Sequence, residues 1–590
     1  MASPSRSRWA SGLRTGAIGG AVAVFLSLVG MVGAFGLRPV ISLGQTGGYL
    51  SLGLALILIA LFGTGYAAAR PVTTARRRIG MGASAGLVTA ACLVGLVMLG
   101  RAVNLRAMFI NATPALFDIL TFGLPGAAGY ASLLGVGAIT GVIAAATLSL
   151  TPHLRRTLGI GVTAVLLVGL LGDQLILILS YNDLGYLVKG WFFASKGLTV
   201  AGAAITFVLA SGGSLAWQRD VGRVRAMVDR QPARRRRALA ALGWLVALLA
   251  VLALPRLVGP YPSEVLNTVG LFILMGLGLN IVVGFAGMLD LGYVAFFAIG
   301  AYTMGVLTSP ESFLFTDGGA PWTFWEAVPI AIVIAVLAGV ILGVPVLRMR
   351  GDYLAIVTLG FGEIIRLLAL SEWLKPYLGG SFGLLGIPPI VVPWIGLGQR
   401  CARVGLPACI VRLEIAGPDK PQLLFYVVLA ACLLAAFIAI RLKDSRFGRA
   451  WMAMREDEDV AEAMGIHLVS TKLRAFAAGA ALSGLSGTLF ATKVGSIYPH
   501  SFNLLISINV LAVIIVGGMG SIPGVVVGAL ALVGLPEILR EFAEYRLMVY
   551  GAVLVIMMLK RPEGLIPNTV VRREMRARDP AASARPGVEA

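Results

Sequence analysis

The chain has 590 residues, of which 58% are hydrophobic and only 13% are charged, and its mean hydropathy is +0.89. A soluble fold of this length cannot bury so much apolar surface, whereas a lipid bilayer solvates that surface directly. The formal charge of +20 would suggest nucleic acid in a soluble protein. Here the basic residues form short runs between apolar segments, which is typical of membrane topology and argues against a nucleic-acid partner.

Apolar segments long enough to cross a bilayer recur along most of the chain. In chain order they are 16–36, 46–69, 79–100, 123–150, 157–180, 198–217, 239–258, 262–283, 287–308, 325–347, 353–371, 423–441, 475–494, 504–517, 524–540 and 546–560. The segments 504–517 and 546–560 are short for full crossings and are interpreted as half-helices. The sequence therefore predicts an all-α fold, a polytopic integral membrane helical bundle of about 16 transmembrane segments including broken or half helices.

The distribution of lysine and arginine predicts the orientation of these segments. If the N-terminus is cytoplasmic, the basic loops that also fall inside are 70–78, 155–156, 219–237, 348–350 and 443–474, together with the C-terminal tail. The exception is the loop 372–422, which would lie outside although it is basic, and long loops follow this rule weakly. We therefore expect a multi-pass protein of the cell inner (plasma) membrane with both termini in the cytoplasm.

The basic stretch 218–237 is the natural boundary between two membrane modules. Residues 1–237 are predicted to form an N-terminal membrane extension of about six helices, whose role the sequence does not indicate. Residues 238–568 form the second module, which carries the features described next. Residues 569–590 are charged and rich in alanine and proline, which predicts a disordered C-terminal tail.

Four polar residues lie within or beside the apolar segments of the second module: Asn280, Asp290, Glu363 and Asn509. An ionisable group in hydrocarbon is costly, so it usually faces a bundle interior or an aqueous path. The alternative is a hydrogen bond between helices that fixes their packing. Both interpretations stay open for Glu363, and for Asp290 we favour a helix N-cap because it precedes the run Leu291–Gly300.

Two glycine-rich runs, the first interruption (residues 284–292) and the second interruption (residues 517–524), divide apolar stretches. Broken helices in transporters expose helix ends inside the membrane, where the two ends suit the two charges of an amino acid. The alternative is a tight turn or close helix packing. The residues predicted to line a translocation path are Asn280, Gly287, Asp290, Tyr302, Thr358, Glu363, Asn509, Gly517, Gly518 and Gly520.

The docking segment (residues 446–466) follows a predicted span on the cytoplasmic side. Acidic residues gather at the start of its second half and Gly465 follows the end, which predicts a short helix around Glu456–Met464 with Val460, Ala463 and Met464 as a small apolar face. Such a helix usually docks on a partner, although a solvated charge run is the alternative. The residues singled out are Arg446, Phe447, Gly448, Arg449, Arg455, Glu456, Asp457, Val460, Glu462, Ala463, Met464, Gly465 and Ile466.

Motifs for catalysis and for nucleotide binding are missing from the sequence. It contains no Gly-Lys dipeptide, which excludes a Walker A loop, and neither HExxH nor GxSxG occurs. No CxxC pair supports a metal site, and we expect no cofactor and no catalytic residue. Energy must come from a partner or an ion gradient. Cys401 and Cys409 share the long outer loop, so a disulfide between them is a hypothesis, with two unrelated small residues as the alternative.

Several of these stretches together resemble one known family. Residues 278–302, 348–366, 381–388, 446–466, 517–524 and 561–565 resemble, in this order, the motifs of the M-type permease subunit of the branched-chain amino acid ABC transporter family. The resemblance covers about residues 238–568. The first 235 residues carry none of these motifs.

The resemblance implies a function and a set of partners. The docking segment would meet an ATPase subunit and couple ATP hydrolysis to transport. The implied partners are a second permease subunit, two ABC ATPase subunits, an extracytoplasmic solute-binding protein, membrane lipid and an amino-acid substrate, branched-chain or related. Close relatives carry urea or short amides, which stays an alternative, as does a secondary transporter or channel. The N-terminal extension lacks a second docking segment, so a separate partner permease is still expected.

Overall fold

The computed structural model describes residues 4–538 apart from 43–47, 181–182, 195–196, 230–231, 316–319, 347–351, 398–407 and 418, with isolated positions between 548 and 567. The chain divides into two compact units, Met1–Leu248 and Leu249–Ala590. The division falls inside one helix, slightly beyond the boundary predicted at 237. The predicted tail 569–590 lies outside the described residues, as does the predicted Cys401–Cys409 disulfide, because Cys401 is not described.

The first unit is helical, with one small sheet. Its described helices are α1 (Pro4–Leu28), α2 (Met31–Gly36), α3 (Leu52–Ala69), α4 (Ala75–Ala102), α5 (Pro114–Leu120), α6 (Gly126–Thr147), α7 (Pro152–Leu170), α8 (Gly172–Ser180), α9 (Asp183–Phe192), α10 (Val200–Asp229) and the start of α11 (Ala233–Val258). In the sheet, β1 (Pro39–Ser42) pairs antiparallel with β2 (Tyr49–Ser51) and parallel with β3 (Leu198–Thr199).

Glycines allow the central helices of the first unit to pack closely. A Cβ atom at Gly86 of α4 would clash with the carbonyl oxygen of Gly137 on α6, so only glycine fits this crossing. The buried Thr89 hydroxyl donates to the Gly16 carbonyl of α1 at 3.0 Å and lies 3.2 Å from the Thr64 hydroxyl of α3. Small residues and interhelical hydrogen bonds are the usual basis of helix association in membranes.

The second unit continues from α11. Its further described helices are α12 (Pro260–Leu279), α13 (Val294–Thr308), α14 (Phe324–Val346), α15 (Asp352–Leu370), α16 (Lys375–Leu378), α17 (Lys420–Asp444), α18 (Arg446–Glu456), α19 (Glu458–Ala463), α20 (Leu468–Val494), α21 (Leu504–Gly517), α22 (Ile522–Ala529) and α23 (Leu535–Ile538). A short π-helical segment at Asn280–Phe285, called the π-turn below, extends α12, and a second one at Leu530–Gly534 separates α22 from α23. The loop predicted at 372–422 contains an antiparallel hairpin of β4 (Val391–Leu397) and β5 (Ala408–Glu414).

The all-α membrane fold is confirmed. Thirteen helices among the described residues are long and apolar enough to span a bilayer, and Val294–Thr308 and Ile522–Glu537 are shorter apolar helices. All six segments predicted in the first unit correspond to such helices. The total of about 16 stays a prediction, because the predicted segment 546–560 lies largely outside the described residues. In the second unit, α12 and α20 are the most deeply buried of the spanning helices and carry the elements of the site.

Candidate translocation and docking site

The first interruption separates α12 from α13. The π-turn at Asn280–Phe285 ends α12, the chain is non-helical from 287 to 293, and α13 begins at Val294. Around this break, the Ser483 hydroxyl donates to the Tyr293 carbonyl at 3.3 Å, and the Tyr293 hydroxyl donates to the Gly479 carbonyl at 2.7 Å. Gly479 and Ser483 flank the middle of α20, so α13 begins about half-way along that spanning helix.

The N–H groups at this internal helix start are bound by side chains from other elements. The Val294 amide donates to Ser507 Oγ on α21 at 3.0 Å, and the Leu291 amide donates to Thr358 Oγ1 on α15, also at 3.0 Å. A Cβ atom at Gly292 would clash with the Thr358 carbonyl oxygen, so the chain here lies directly against α15. The start of a helix leaves N–H groups without backbone partners; Ser507 supplies the acceptor for the first amide of α13, and Thr358 binds the non-helical chain before it.

Asp290 is completely buried in this segment. Its Oδ1 accepts from the Gly292 amide at 2.9 Å, whereas Oδ2 has no hydrogen-bond partner. The expectation that Asp290 caps a helix is therefore wrong. The carboxylate binds an amide two residues ahead, outside the helix, and the N-cap position of α13 is Tyr293, which makes no side-chain cap. The side chain thus keeps one free acceptor inside the bundle.

The other predicted path residues occupy different parts of the second unit. Thr358 is fully buried beside the first interruption, as described above. Tyr302 is buried in the second half of α13, where its ring lies 5.6 Å from that of Phe502 and its hydroxyl has no hydrogen-bond partner. Asn509 is half-buried on α21. Asn280 is buried in the π-turn, and its Oδ1 accepts from the Gly520 amide at 2.8 Å.

Glu363 stands apart from this buried group. On α15 it forms an ion pair with Arg366 one turn later, and Arg366 Nε donates to both carboxylate oxygens at 3.0 Å. The Glu363 side chain is 43% exposed, although the helix is a candidate membrane span. The structure therefore brings Thr358 to the first interruption but leaves Glu363 on an open face of the same helix.

The second interruption is a tight turn between α21 and α22, which is the alternative that the sequence left open. Gly518 (φ +118°) and Gly520 (φ +77°) adopt backbone conformations that other residues rarely reach. Two carbonyls at the end of α21 accept from the distant C-terminal segment: the Leu565 amide donates to Val516 O at 2.8 Å and the Ile566 amide to Gly517 O at 3.0 Å. The second interruption and the segment around 561–565, which both resemble motifs of the permease family, are thus in direct contact.

The docking segment contains two short, capped helices. Ser445 Oγ accepts from the Phe447 and Gly448 amides at the start of α18, and Asp457 Oδ1 accepts from the Asp459 and Val460 amides at the start of α19. Gly465, with a φ of +87°, follows the second helix. The helix predicted around 456–464 is therefore present at Glu458–Ala463, and its acidic first turn suits the positive end of the helix dipole.

One side of the docking segment is anchored while the other is free. Trp451 is buried, and its indole N–H donates to the Thr471 carbonyl at 2.9 Å; the Lys472 ammonium pairs with Glu458 at 2.9 Å. By contrast, Val460 is 59% exposed and Met464 is 79% exposed. The predicted apolar face is thus uncovered on a segment that is firmly attached to α20.

Arg455, in the last turn of α18, joins this segment to the first interruption. Its Nη1 donates to the Gly284 carbonyl at 2.7 Å. Its aliphatic stem lies against Gly287 (φ +74°), where a Cβ atom would approach Arg455 Cγ to 2.8 Å. The sequence singled out Arg455 and both glycines but did not predict that they meet.

Sequence reasoning missed Tyr293, Ser483, Ser507 and Trp451. Ser483 and Ser507 carried the same signal as the four polar residues that were chosen, since each has a polar side chain within an apolar helix. Tyr293 and Trp451 carried no such signal, because aromatic residues are common in apolar helices and at their ends.

A family model described as the permease component of the branched-chain amino acid transport system matches residues 261–558. The chain belongs to this permease family. It is similar to the high-affinity branched-chain amino acid transport system permease protein LivM of Escherichia coli, with 40% identity over 344 residues, 58% of this chain and 77% of that protein. The LivH permease protein of the same system in Escherichia coli is 25% identical over 313 residues, 51% of this chain and 93% of that protein.

A probable LivM protein of Methanocaldococcus jannaschii is 22% identical over 346 residues, 52% of this permease and 93% of the archaeal protein. No solved structure matches the chain. The matched range 261–558 contains both interruptions and the docking segment. The permease family match and the candidate site therefore coincide in the second unit.

Proposed function

We propose that this chain is the membrane-spanning permease subunit of an ATP-driven ABC importer for branched-chain or related amino acids. Family membership and the multi-pass helical fold support this proposal, as do relatives named as branched-chain amino acid transport permeases. The chain itself contains no nucleotide-binding loop, so ATP hydrolysis belongs to partner subunits. The proposed assembly has a second permease, two ABC ATPase subunits and an extracytoplasmic solute-binding protein, with both termini of this chain in the cytoplasm.

The observation that carries the proposal is the exposed apolar face of α19. Val460 and Met464 face solvent on a capped helix whose base is fixed by Trp451 and Lys472. A short helix is marginal in water, and burial of these side chains in an ATPase cleft would stabilise it. Arg446 and the remaining donors of Arg449, whose Nη1 binds the Asp444 carbonyl at 3.1 Å, can pair with acidic groups of the partner, whereas Arg455 is engaged with Gly284.

The path of the solute is proposed to pass the first interruption. The positive end of the α13 dipole favours a carboxylate, although the Val294 amide already binds Ser507, and the unpartnered oxygen of Asp290 favours an ammonium group. These two groups lie within a few residues of each other and suit a zwitterionic amino acid. Asn280, Thr358 and Tyr302 add further polar groups within the buried part of the unit.

Ala463→Asp tests the proposed docking of α19. Ala463 is exposed in the isolated chain, so the variant should fold, but an unpaired carboxylate in the ATPase interface should lower solute-stimulated ATP hydrolysis and uptake roughly tenfold or more. The measurement is ATP hydrolysis and leucine uptake in vesicles reconstituted with ATPase subunits and binding protein. Ala75→Asp is the matched control, because Ala75 is an exposed alanine at the start of α4. Parental activity of Ala463→Asp would exclude α19 from coupling.

A further inference from the structure

Three contacts connect the docking segment to both interruptions, and they begin at the Gly284 carbonyl. In a regular α-helix this carbonyl would accept from the Met288 amide, but that amide donates instead to Val282 O at 3.0 Å. The helix ends here in a Schellman motif, since the Gly287 amide also donates to Val283 O at 3.2 Å, and this end leaves the Gly284 carbonyl without its helical partner. Arg455 supplies the donor at 2.7 Å. Single turns of π-helix next to an α-helix are frequently found at functional sites.

The stem of Arg455 makes the second contact. Gly287 lies directly beneath it with a φ of +74°, and a side chain there would collide with the arginine. Arg455 therefore holds the first interruption at two points, a charged hydrogen bond to Gly284 and a packing contact at Gly287. A displacement of α18 relative to the π-turn would have to move this stretch or break both contacts.

Asn280 makes the third contact, from the π-turn to the second interruption. Its Oδ1 accepts from the Gly520 amide at 2.8 Å, and Gly284 packs so tightly against the same amide oxygen that a Cβ atom would not fit. Asn280 Nδ2 is buried and has no hydrogen-bond partner. A buried donor without an acceptor is costly, and this cost is relieved if the side chain gains an acceptor in a second arrangement of the two interruptions.

The far end of this line of contacts is also fixed. The second interruption is bound by the Leu565 and Ile566 amides. At the near end, Asp457 is both the C-cap residue of α18 and the N-cap residue of α19. Movement of α19 is therefore passed to Arg455 two residues away, because no flexible linker separates the two helices.

We propose that Arg455 and Asn280 are positioning residues that transmit movement of α19 to both glycine-rich interruptions, and so to the buried Asp290 in the non-helical stretch before α13. This inference rests on the proposed function, since an ATPase must move α19. Movement of Arg455 shifts the π-turn through the hydrogen bond to Gly284, and the hydrogen bond between Asn280 and Gly520 shifts the second interruption with it. The two interruptions then change together, although 171 residues separate Arg455 from Gly284 in sequence and 240 separate Asn280 from Gly520.

Arg455→Met tests the first link, because methionine keeps a stem that packs on Gly287 but cannot donate to Gly284. The assay uses vesicles reconstituted with the ATPase subunits and binding protein, with leucine as the probe. The number of ATP molecules hydrolysed per leucine imported should rise about tenfold, which is the factor that corresponds to the loss of a hydrogen bond from a charged group. A purely structural defect would lower hydrolysis and uptake together and leave this ratio unchanged. Arg455→Lys, which keeps a stem and a charged donor, should restore most of the coupling.

Arg441→Met is the matched control. Arg441 lies at the end of α17, where its guanidinium carbon lies 5.3 Å from the Phe437 ring of its own helix, and among the described residues no hydrogen bond or ion pair joins it to either interruption. The ratio in this variant should equal that of the parent protein. Leucine has the same branched skeleton as asparagine but no acceptor for Gly520, so Asn280→Leu should raise the same ratio. Combining it with Arg455→Met should add little, because both substitutions break one line of contacts.

A parental ratio in Arg455→Met would overturn the inference, as would full additivity of the two substitutions. If Arg455→Met fails to accumulate in the membrane, Asn280→Leu is compared with Arg455→Lys instead. If Asn280→Leu hydrolyses as many ATP molecules per leucine as the parent protein, the inference is overturned. If Asn280→Leu hydrolyses more, the inference is supported. The proposed function fails separately. If Ala463→Asp abolishes stimulated hydrolysis while Arg455→Met keeps the parental ratio, the ATPase docks as proposed and only this transmission route is wrong.

Discussion

The interruptions at 284–292 and 517–524 are both rich in glycine and lie between apolar stretches, yet they form different structures. In the first, the chain stays non-helical for several residues and starts a helix half-way along α20, surrounded by Thr358, Ser483 and Ser507. In the second, α21 turns directly into α22, and its free carbonyls are bound by backbone amides of the C-terminal segment.

The difference lies in the polar residues that accompany the glycines. The first interruption contains Asp290, whose buried carboxylate keeps one oxygen without a partner. In the second, Ser521 Oγ is used locally, accepting from the Gly524 amide at the start of α22. A glycine-rich run therefore indicates a place where backbones approach closely. In this protein the run that also contains a buried acidic residue is the candidate path, and the other run is a turn.

Gly292→Ala should have the largest effect on stability. Its Cβ would clash with the Thr358 carbonyl, and a backbone carbonyl on a spanning helix cannot move aside without shifting α15. We expect a loss of about 3 kcal/mol or more in the free energy of unfolding, at the upper end for overpacking. Thermal unfolding of purified protein in detergent measures this. Gly360→Ala on α15, where a Cβ meets open space, is the control; if the two variants unfold at one temperature, the first interruption is not held against α15.

Asp290→Asn and Ser521→Ala test the difference between a path and a turn. Asparagine keeps the oxygen that binds the Gly292 amide and removes the charge, so uptake should fall roughly tenfold while stability does not decrease, because a neutral amide is cheaper to bury. Ser521→Ala removes a helix cap and should lower the free energy of unfolding by about 1 kcal/mol without changing uptake per folded protein. Leucine uptake normalised to folded protein checks both. The reverse pattern would contradict the comparison.

Glu363→Gln should have the smallest effect and asks whether the open face of α15 belongs to the path. We expect uptake to fall roughly fivefold, about 1 kcal/mol, with assembly intact, because Arg366 loses its partner within a spanning helix. Glu372→Gln is matched to it, since Glu372 forms an equivalent pair with Lys375 at 3.0 Å but is exposed beyond the end of α15. If Glu363→Gln prevents assembly, the pair has a packing role and not a path role.

Hydropathy predicted most of the fold, because each spanning helix is a local property of about 20 residues. The predicted segments 79–100, 325–347 and 353–371 correspond closely to α4, α14 and α15. The start of α13 was placed seven residues too early, at 287, since the buried stretch before it is as apolar as a helix. The hairpin of β4 and β5 was not predicted, because its apolar strands are only seven residues each, too short for a spanning helix, and hydropathy does not report strand pairing.

The candidate site was predicted as a set of residues but not as an arrangement. Asn280, Asp290 and the glycines stood out because polar or flexible residues are unusual in an apolar helix. The N-cap assignment of Asp290 was wrong because the actual acceptor for the first amide of α13 comes from Ser507, 213 residues away. The bond between Arg455 and Gly284 is equally remote in sequence, and no local pattern indicates such a partner.

The C-terminal segment that binds the second interruption also bears on how the protein is made. In the described part of the chain, the carbonyls of Val516 and Gly517 accept from the Leu565 and Ile566 amides, which leave the ribosome about fifty residues later. Until then the turn between α21 and α22 has backbone acceptors that water or lipid headgroups must satisfy. The turn between α21 and α22 is therefore completed only after Leu565 and Ile566 have been synthesised, and a chain that ends before Leu565 leaves these two carbonyls without these donors.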